Sequence, residues 1–396
     1  MSAVVTKPSG SLPASPRPRL RFGLIGLGLM GREMACSMAR YCQLTIAGPV
    51  PELVAVCDRE PATFPWFTEN FGPAVTCHTD LASLLAQDGI DAIYCAVPHR
   101  LHESAYTAII RAGKHLLGEK PFGIDAAANQ TVLAAIAQHP ASVVRCSSEF
   151  PYFPAVRRLV EWLQARRYGR LVEVRVGFHH ASDLDPKKPI SWKRRQAENG
   201  AYGCLGDLGM HVLHIPLRMG WRPQSVFADL RKIFHERPDG RGGMAPCDTW
   251  DNAVLLTDWR DDGQDFPLVL STKRIAPGAT NTWFIEVDGT EGSVRFSTTD
   301  AKALHLLESS TPGAGWMRLE TGSQSYLPSV TGGIFEFGFS DALLQMLGAF
   351  LSECAGTAPP FGTVRPIETA IQHQLFSAAL ISQQTGRREL LLETTP

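Results

Sequence analysis

A short apolar run, Leu20 to Ile25, passes directly into Gly26-Leu27-Gly28-Leu29-Met30-Gly31 and then into a helix-forming stretch that begins Arg32-Glu33-Met34-Ala35. Strand, glycine turn and helix in immediate succession leave few folds open. In G-x-G-x-x-G the glycines make the tight turn, let a phosphate approach bare backbone and bring the helix close to the strand. The N–H groups at the helix N-terminus then face the anion. The pattern alone also fits a turn without a ligand; its place between a strand and a helix favours dinucleotide binding by Gly26, Gly28, Leu29, Met30 and Gly31. Further apolar runs at Leu53 to Cys57, Ala92 to Val97 and His115 to Leu117 alternate with helical stretches at 80–87, 102–112 and 125–138. That alternation predicts βαβ units and a doubly wound parallel sheet.

Asp58 closes the second run, where an acid hydrogen-bonds the ribose hydroxyls of an adenosine and favours NAD. It stands 27 residues beyond Gly31, against roughly 20 in the usual fingerprint, and the excess is assigned to a longer loop through Thr45-Ile46-Ala47-Gly48-Pro49. Arg59 is placed to pair with a 2′-phosphate, so NADP stays open; Asp58 as a simple cap of the next turn is the competing reading.

Near residue 150 the pattern changes. Val172, Val174, Val176 and Phe178 alternate with Glu173, Arg175 and Gly177, the period of a half-buried antiparallel strand. Similar runs at 226–235, 253–259, 267–275, 282–288 and 293–296, with late helices at about 340–353 and 366–385, predict an α/β region with a large, mainly antiparallel open sheet. The expected division is a disordered Pro- and Ser-rich leader over 1–19, a Rossmann domain over 20–148 and a substrate and oligomerisation domain over 149–396. Lys and Arg number 38 against 39 Asp and Glu, a balance that argues against nucleic acid or an anionic membrane as partner. No run approaches the roughly 18 apolar residues of a bilayer span. The nine cysteines include no C-x-x-C pair, so neither a disulfide framework nor a zinc ribbon is indicated and a reducing, cytoplasmic compartment is expected.

Together with Gly113-Lys114-His115-Leu116-Leu117-Gly118-Glu119-Lys120-Pro121, the glycine loop resembles the Gfo/Idh/MocA family of glucose-fructose oxidoreductase, inositol dehydrogenase and rhizopine-catabolism proteins. That family carries A-G-K-H-V-x-x-E-K-P after T-P-N-x-x-H, which here reads Val97-Pro98-His99-Arg100-Leu101-His102. Ser191-Trp192-Lys193 and Gly203-Cys204-Leu205-Gly206-Asp207-Leu208-Gly209-Met210-His211 look like its W-R and G-A-L-x-D-x-G-x-H blocks. The resemblance implies an NAD(P)-dependent oxidoreductase, a homodimer or homotetramer, acting at a secondary alcohol of a sugar, sugar derivative or cyclitol. It implies that Pro98, His99, His102, Glu119 and Lys120 join the glycine loop at the cofactor, and that Lys120, Asp207 and His211 are catalytic. Glu149, Trp192 and Lys193 complete the substrate shell it implies. Glu149 and Pro151 stand where many members have Asn and Arg, so that shell is expected to be altered.

Alcohol oxidation needs a base with a pKa near working pH and a hydride acceptor. His211 takes the acid/base role in this reading, Asp207 orients, and Lys120 lowers the hydroxyl pKa; which of Lys120 and His211 takes the proton is left open. The bond before Pro121 is expected to be cis and so to aim Lys120. Asp207, His211 and His214 share a helix face that could suit a metal, but no fourth ligand is evident and none is expected. The polar residues His179, His180, Asp183, Asp185, Lys187 and Lys188 either reach the substrate or are solvated. Trp192, Trp250, Trp259 and Trp283 could each stack on a sugar face, but each is read mainly as core. Two further functions compete: a redox-neutral enzyme with tightly bound NAD, and a non-catalytic dinucleotide sensor.

Overall fold

The computed structural model describes residues 17–308, 312–322, 324–333 and 335–391. Residues 1–16 of the expected leader lie outside the described residues, and its last residue, Arg19, is already in a strand, paired with Val50. Six parallel strands form the first sheet: β1 (Arg19–Ile25), β2 (Val50–Cys57), β3 (Thr76–His78), β4 (Ala92–Cys95), β5 (His115–Gly118) and β6 (Val144–Cys146), in the order β3-β2-β1-β4-β5-β6. Phe22, Leu24, Ile93, Tyr94, Leu116 and Leu117 are fully buried, as a parallel sheet covered on both faces requires. The connecting helices are α1 (Leu29–Ala39), α2 (Phe64–Phe71), α3 (Leu81–Leu85), α4 (His102–Arg111) and α5 (Ala126–Gln138). Asp80 and Asp125 cap α3 and α5 by accepting from Ser83 N and Ala128 N, each bond worth about 1 kcal/mol.

Helix α6 (Pro154–Gln164) leads into β7 (Leu171–His179), which begins the second sheet. After α7 (Gln196–Asn199) and α8 (Cys204–Arg218) come β8 (Arg222–Arg231) and a small hairpin, β9 (Glu236–Pro238) with β10 (Met244–Pro246). The strands β11 (Asn252–Asp261), β12 (Gln264–Lys273), β13 (Thr282–Gly289), β14 (Gly292–Ser297), β15 (Ala303–Glu308) and β16 (Met317–Glu320) follow. With β17 (Glu389–Leu390) they give the order β16-β15-β14-β13-β7-β12-β11-β8-β17. Every pairing is antiparallel except β7 with β12. The large sheet is therefore mixed at its centre and antiparallel elsewhere. Alternate residues Trp283, Ile285 and Val287 are buried on one face, the face that α8 covers. The period of two seen in the sequence thus marks that inner face, Trp259 and Trp283 included.

Helices α9 (Phe339–Cys354) and α10 (Pro366–Thr385) tie the two sheets together. Helix α9 packs on α1, and α10 packs on α5, α8 and β8. Gly386 ends α10 at φ +65°, the left-handed cap that glycine adopts without strain. From α10, His373 Nε2 meets the Pro121 carbonyl at 2.7 Å, behind a Lys120–Pro121 bond that is cis as expected. At the start of α10 Glu368 is almost fully buried and accepts from Arg218 Nε at 2.9 Å, Arg218 Nη2 at 3.1 Å and Arg365 Nη2 at 3.0 Å. Burial opposes its charge, but the Arg218 hydrogen bond, with His214 and the Arg218 charge, draws its pKa down to about 2.

A carboxylate held below its ordinary 4.5 stabilises the fold above that pH and loses the contribution as pH falls toward 2. Glu368→Gln, which leaves Arg218 buried without its anion, is expected to cost about 3 kcal/mol at pH 7. In urea unfolding the difference from wild type should shrink steadily below pH 4.5.

Candidate active site

The cavity of about 600 Å³ between the two sheets runs from the glycine loop to α8. At one end it is lined by Gly26, Gly28, Leu29, Met30, Gly31 and Glu33, with Ala96, Val97 and His99 opposite. A Cβ on Gly26 would sit 2.4 Å from Ala96 O, and one on Gly31 2.2 Å from Gly26 O, so both glycines are required by packing. A Cβ on Gly28 meets nothing within 4 Å. Gly28 is the N-cap of α1 and supplies no side-chain cap of its own. Open space over bare backbone at a helix N-terminus, with no acid in its first turn, fits the pyrophosphate of a dinucleotide.

Asp58 braces this loop. Its Oδ2 accepts from Leu27 N at 2.8 Å and its Oδ1 from Glu60 N at 3.0 Å, so it fixes the glycine turn and also caps the next one. The longer connection from α1 to β2 includes a turn at 40–43, and Leu44 bridges to Ser329. Arg59 is exposed at the turn, and neither it nor Asp58 or Pro98 lines the cavity.

His102 departs from the cofactor role. It is fully buried, Nε2 meets Val97 O at 3.1 Å, Nδ1 accepts from Gly123 N at 3.4 Å, and the ring stacks on Tyr106. Its work is to join the loop after β4 to the turn after Lys120. His99 does line the cavity, holds Asn199 O at 3.1 Å and meets the Trp192 ring edge-on.

Lys120, placed by the end of β5 and the Pro121 turn, donates from Nζ to Asp207 Oδ1 at 2.6 Å. Asp207 sits in the first turn of α8 with no solvent exposure. Lys193 Nζ lies 3.2 Å from both Asp207 oxygens, and Arg274 Nη2 also contacts Oδ2. Three cations therefore surround one carboxylate. No motif singles out Arg274, although it continues the alternation of buried Phe266, Leu268, Leu270 and Thr272 along β12, and that register places it on the inner face.

His211 follows Asp207 by one helical turn. Ser148 Oγ meets its Nδ1 at 3.2 Å, Trp283 Nε1 donates to its carbonyl at 3.1 Å, and Phe150 and Phe178 stand edge-on to the ring at 5.3 and 5.5 Å. Burial, then Lys120, His180 and Lys193, push its pKa well below the usual histidine value, so the ring is neutral at pH 7. Burial also lowers Lys120 and lowers Lys193 strongly, in the second case with Arg274 and Lys120 adding to it. Glu119 accepts from Tyr94 Oη at 2.7 Å. Glu149 lines the cavity while nearly buried; burial and the neighbouring Glu119 charge push its pKa up to about 8.

From the polar loop after β7 only His180 reaches the cavity. His179 meets Ser271, and Asp183 pairs with Lys188 and Arg194, each at 2.9 Å. Asp185 accepts from Lys187 N. His214 turns away from Asp207 and His211 to meet Arg218 Nη2 at 3.0 Å, so the three do not converge on a metal. Among the described residues no group of three or more His, Cys, Asp or Glu is placed to hold one.

Known proteins place this architecture. A model of an oxidoreductase family with an NAD-binding Rossmann fold, GFO/IDH/MocA, matches residues 20–145, and that of the GFO/IDH/MocA C-terminal domain matches 156–295. Levoglucosan dehydrogenase of Pseudarthrobacter phenanthrenivorans is 25% identical over 292 residues, 70% of this chain and 73% of that protein. dTDP-3,4-didehydro-2,6-dideoxy-alpha-D-glucose 3-reductase of Actinomadura kijaniata is 30% identical over 226 residues, 57% of this chain and 62% of that one. The solved complex of levoglucosan dehydrogenase with NADH and levoglucosan superposes with a TM-score of 0.84 at 22% identity, covering 95% of this chain and all of that one.

Three variants probe the site. Gly28→Ala adds a methyl to open space, so its melting temperature should stay within about 2 °C of wild type while NADH affinity, read by fluorescence titration, falls about tenfold or more. Gly31→Ala should instead lose stability. A buried acid held neutral up to about 8 costs the fold stability as pH rises from its ordinary 4.5. Glu149→Gln should therefore gain on the order of 2–4 kcal/mol at pH 8 and almost nothing at pH 4.5, measured by denaturant unfolding.

Proposed function

The chain belongs to the Gfo/Idh/MocA family of oxidoreductases with an NAD-binding Rossmann fold, and we propose that it moves hydride between NAD and a secondary alcohol of a sugar, sugar derivative or cyclitol. The observation that carries this reading is the buried Lys120–Asp207 pair beside a neutral His211, at the floor of a cavity whose other end is the glycine loop.

In this proposal Gly26, Gly28, Gly31 and the N-terminus of α1 hold the pyrophosphate, and His99 and Glu119 border the nicotinamide end. NAD, when bound, supplies the hydride acceptor. The chain's own residues manage the proton. Lys120 hydrogen-bonds the substrate hydroxyl and stabilises developing alkoxide charge, which eases release of the proton. Asp207 holds the Lys120 ammonium in place. With Nδ1–H donating to Ser148, His211 keeps an Nε2 lone pair to accept the proton, and Phe150 and Phe178 fix the ring plane. Trp192 and Lys193 form the outer wall, where the substrate enters.

As part of the same proposal the protein is a homodimer or homotetramer in a reducing cytoplasm. The outer face of the large sheet, where Phe227 and Leu256 are exposed, supplies the contact.

The test is absorbance at 340 nm with purified protein, NAD or NADP, and a panel of monosaccharides, anhydrosugars, glycosides and inositols. NAD should be preferred, because the Asp58 carboxylate at the end of β2 repels a 2′-phosphate. Lys120→Ala should lower kcat/KM by about 10²–10⁴ while leaving NADH binding within a few-fold. Undiminished turnover in that variant would sink the assignment of Lys120.

A further inference from the structure

The acids that line the cavity among the described residues are Glu33, Glu119, Glu149 and Asp207. Glu33 stands on α1 at the glycine-loop end, and Asp207 is enclosed by Lys120, Lys193 and Arg274. Glu119 accepts from Tyr94 Oη at 2.7 Å and its charge supports that of Lys120. Glu149 differs from all three. Among the described residues its nearly buried carboxyl has no hydrogen bond or ion pair beyond its own backbone. A buried polar group without a partner is costly, so its place in the fold needs a reason. Strands β5 and β6 are parallel neighbours, with Gly118 opposite Cys146 and Ser147 N donating to Gly118 O at 2.8 Å. Glu119 and Glu149 therefore leave the sheet from adjacent carboxyl ends and enter the cavity side by side. The residues flanking Glu149, Ser148 and Phe150, both touch the His211 ring. The unpartnered acid thus sits where the glycine-loop half of the cavity meets α8.

We propose that Glu149 answers the positive charge of oxidised nicotinamide: when NAD binds, its carboxyl gives a proton to solvent and faces the ring as carboxylate, whereas NADH leaves it protonated. This rests on the hydride-transfer reading above, which puts the nicotinamide beside Glu119. Without a ligand, burial and the Glu119 charge hold Glu149 protonated up to about 8. A cation brought into the same volume favours the ionised form and draws that value down. NAD and NADH carry the same pyrophosphate, so the ring charge is what separates them. Around neutral pH the other groups facing Glu149 have little proton to exchange. Tyr94 of β4 and Cys146 of β6 are pushed well above their ordinary values by burial and stay protonated. His211 of α8 is lowered well below its ordinary value and His180, just beyond β7, to about 4, so both stay neutral. Phe178 of β7 and Phe339 of α9 bring no charge to the cavity wall. Burial drives Lys193 strongly toward its neutral form, and Lys120 is held at 2.6 Å by Asp207.

The experiment titrates the full chain with NAD and with NADH in a calorimeter at pH 7.5, each in phosphate and in Tris. The dependence of the heat on the ionisation enthalpy of the buffer counts the protons released. NAD should release about 0.7 proton per site and NADH almost none. Between pH 6.5 and 7.5 the ratio of the NAD to the NADH Kd should fall about fivefold. Glu149→Gln, which keeps the shape and removes the titration, should abolish the release and raise that ratio about tenfold at pH 7.5. Glu149→Asp should retain the release. Release with NAD alone in a protein that oxidises no alcohol would leave the inference standing and sink the hydride-transfer reading. Equal release with both dinucleotides, release with neither, binding of neither, or release that persists in Glu149→Gln and so comes from Lys120 would each overturn it.

Discussion

The ion pair between Lys120 and Asp207 is the constraint around which the rest of the site is arranged. One partner stands at the carboxyl end of β5 and the other in the first turn of α8, so the pair exists only when the two sheets are docked in this register. A buried salt bridge is weak evidence for stability, since desolvation of two ions offsets most of their attraction. With Asp207 wholly shielded from solvent, its presence is better explained by chemistry than by folding. Position at the end of a parallel strand agrees, because open α/β sheets bind their ligands there.

Around this cluster burial sets the protonation of the nearby groups first, and the field of its cations adds to it. His180 is pushed down to about 4, first by burial and then by Arg274, and His211 falls well below its usual value for similar reasons. Both imidazoles are therefore neutral across the physiological range and available as acceptors. The same crowding lowers Lys193, whereas the nearby acids raise rather than lower the Lys120 value and leave burial as its main opposing influence. The neutral histidines thus follow first from burial and then from the neighbouring cations.

Much of this was legible in the sequence, for identifiable reasons. The glycine loop is a local feature whose spacing follows from backbone sterics, so Gly26, Gly28 and Gly31 could be read before any tertiary contact was known. The order of the blocks around Lys120, Asp207 and His211 singled out residues that the fold brings together at the cavity. What the sequence hid depended on long-range packing. Nothing local distinguishes His99, at the cavity wall, from His102, which is buried under Tyr106 and bonded to backbone on two sides. Arg274 lies far from every motif, and only the period of two along β12, carried one residue past the strand, would have revealed its facing. The behaviour of Glu149 comes from burial beside Glu119, which no spacing encodes.

The two late helices explain why the cleft can be preformed. One continuous apolar core runs from Phe22 and Leu24 of the first sheet through Phe350 of α9 to Trp283 of the second and Phe376 of α10. Buried polar contacts add direction to that apolar mass: Asn129 of α5 donates to Thr369 of α10 at 2.9 Å, and His373 of the same helix meets the carbonyl of Pro121. A helix that packs on the second sheet therefore also grips the turn that aims Lys120. Any rotation of one sheet against the other would have to break these buried hydrogen bonds and open a shared core, each costly in a low-dielectric interior. The cleft can hold Lys120, Lys193 and Arg274 at fixed distances around Asp207 because its walls are not free to relax around them. A site rigid in this way binds by charge and shape already in place.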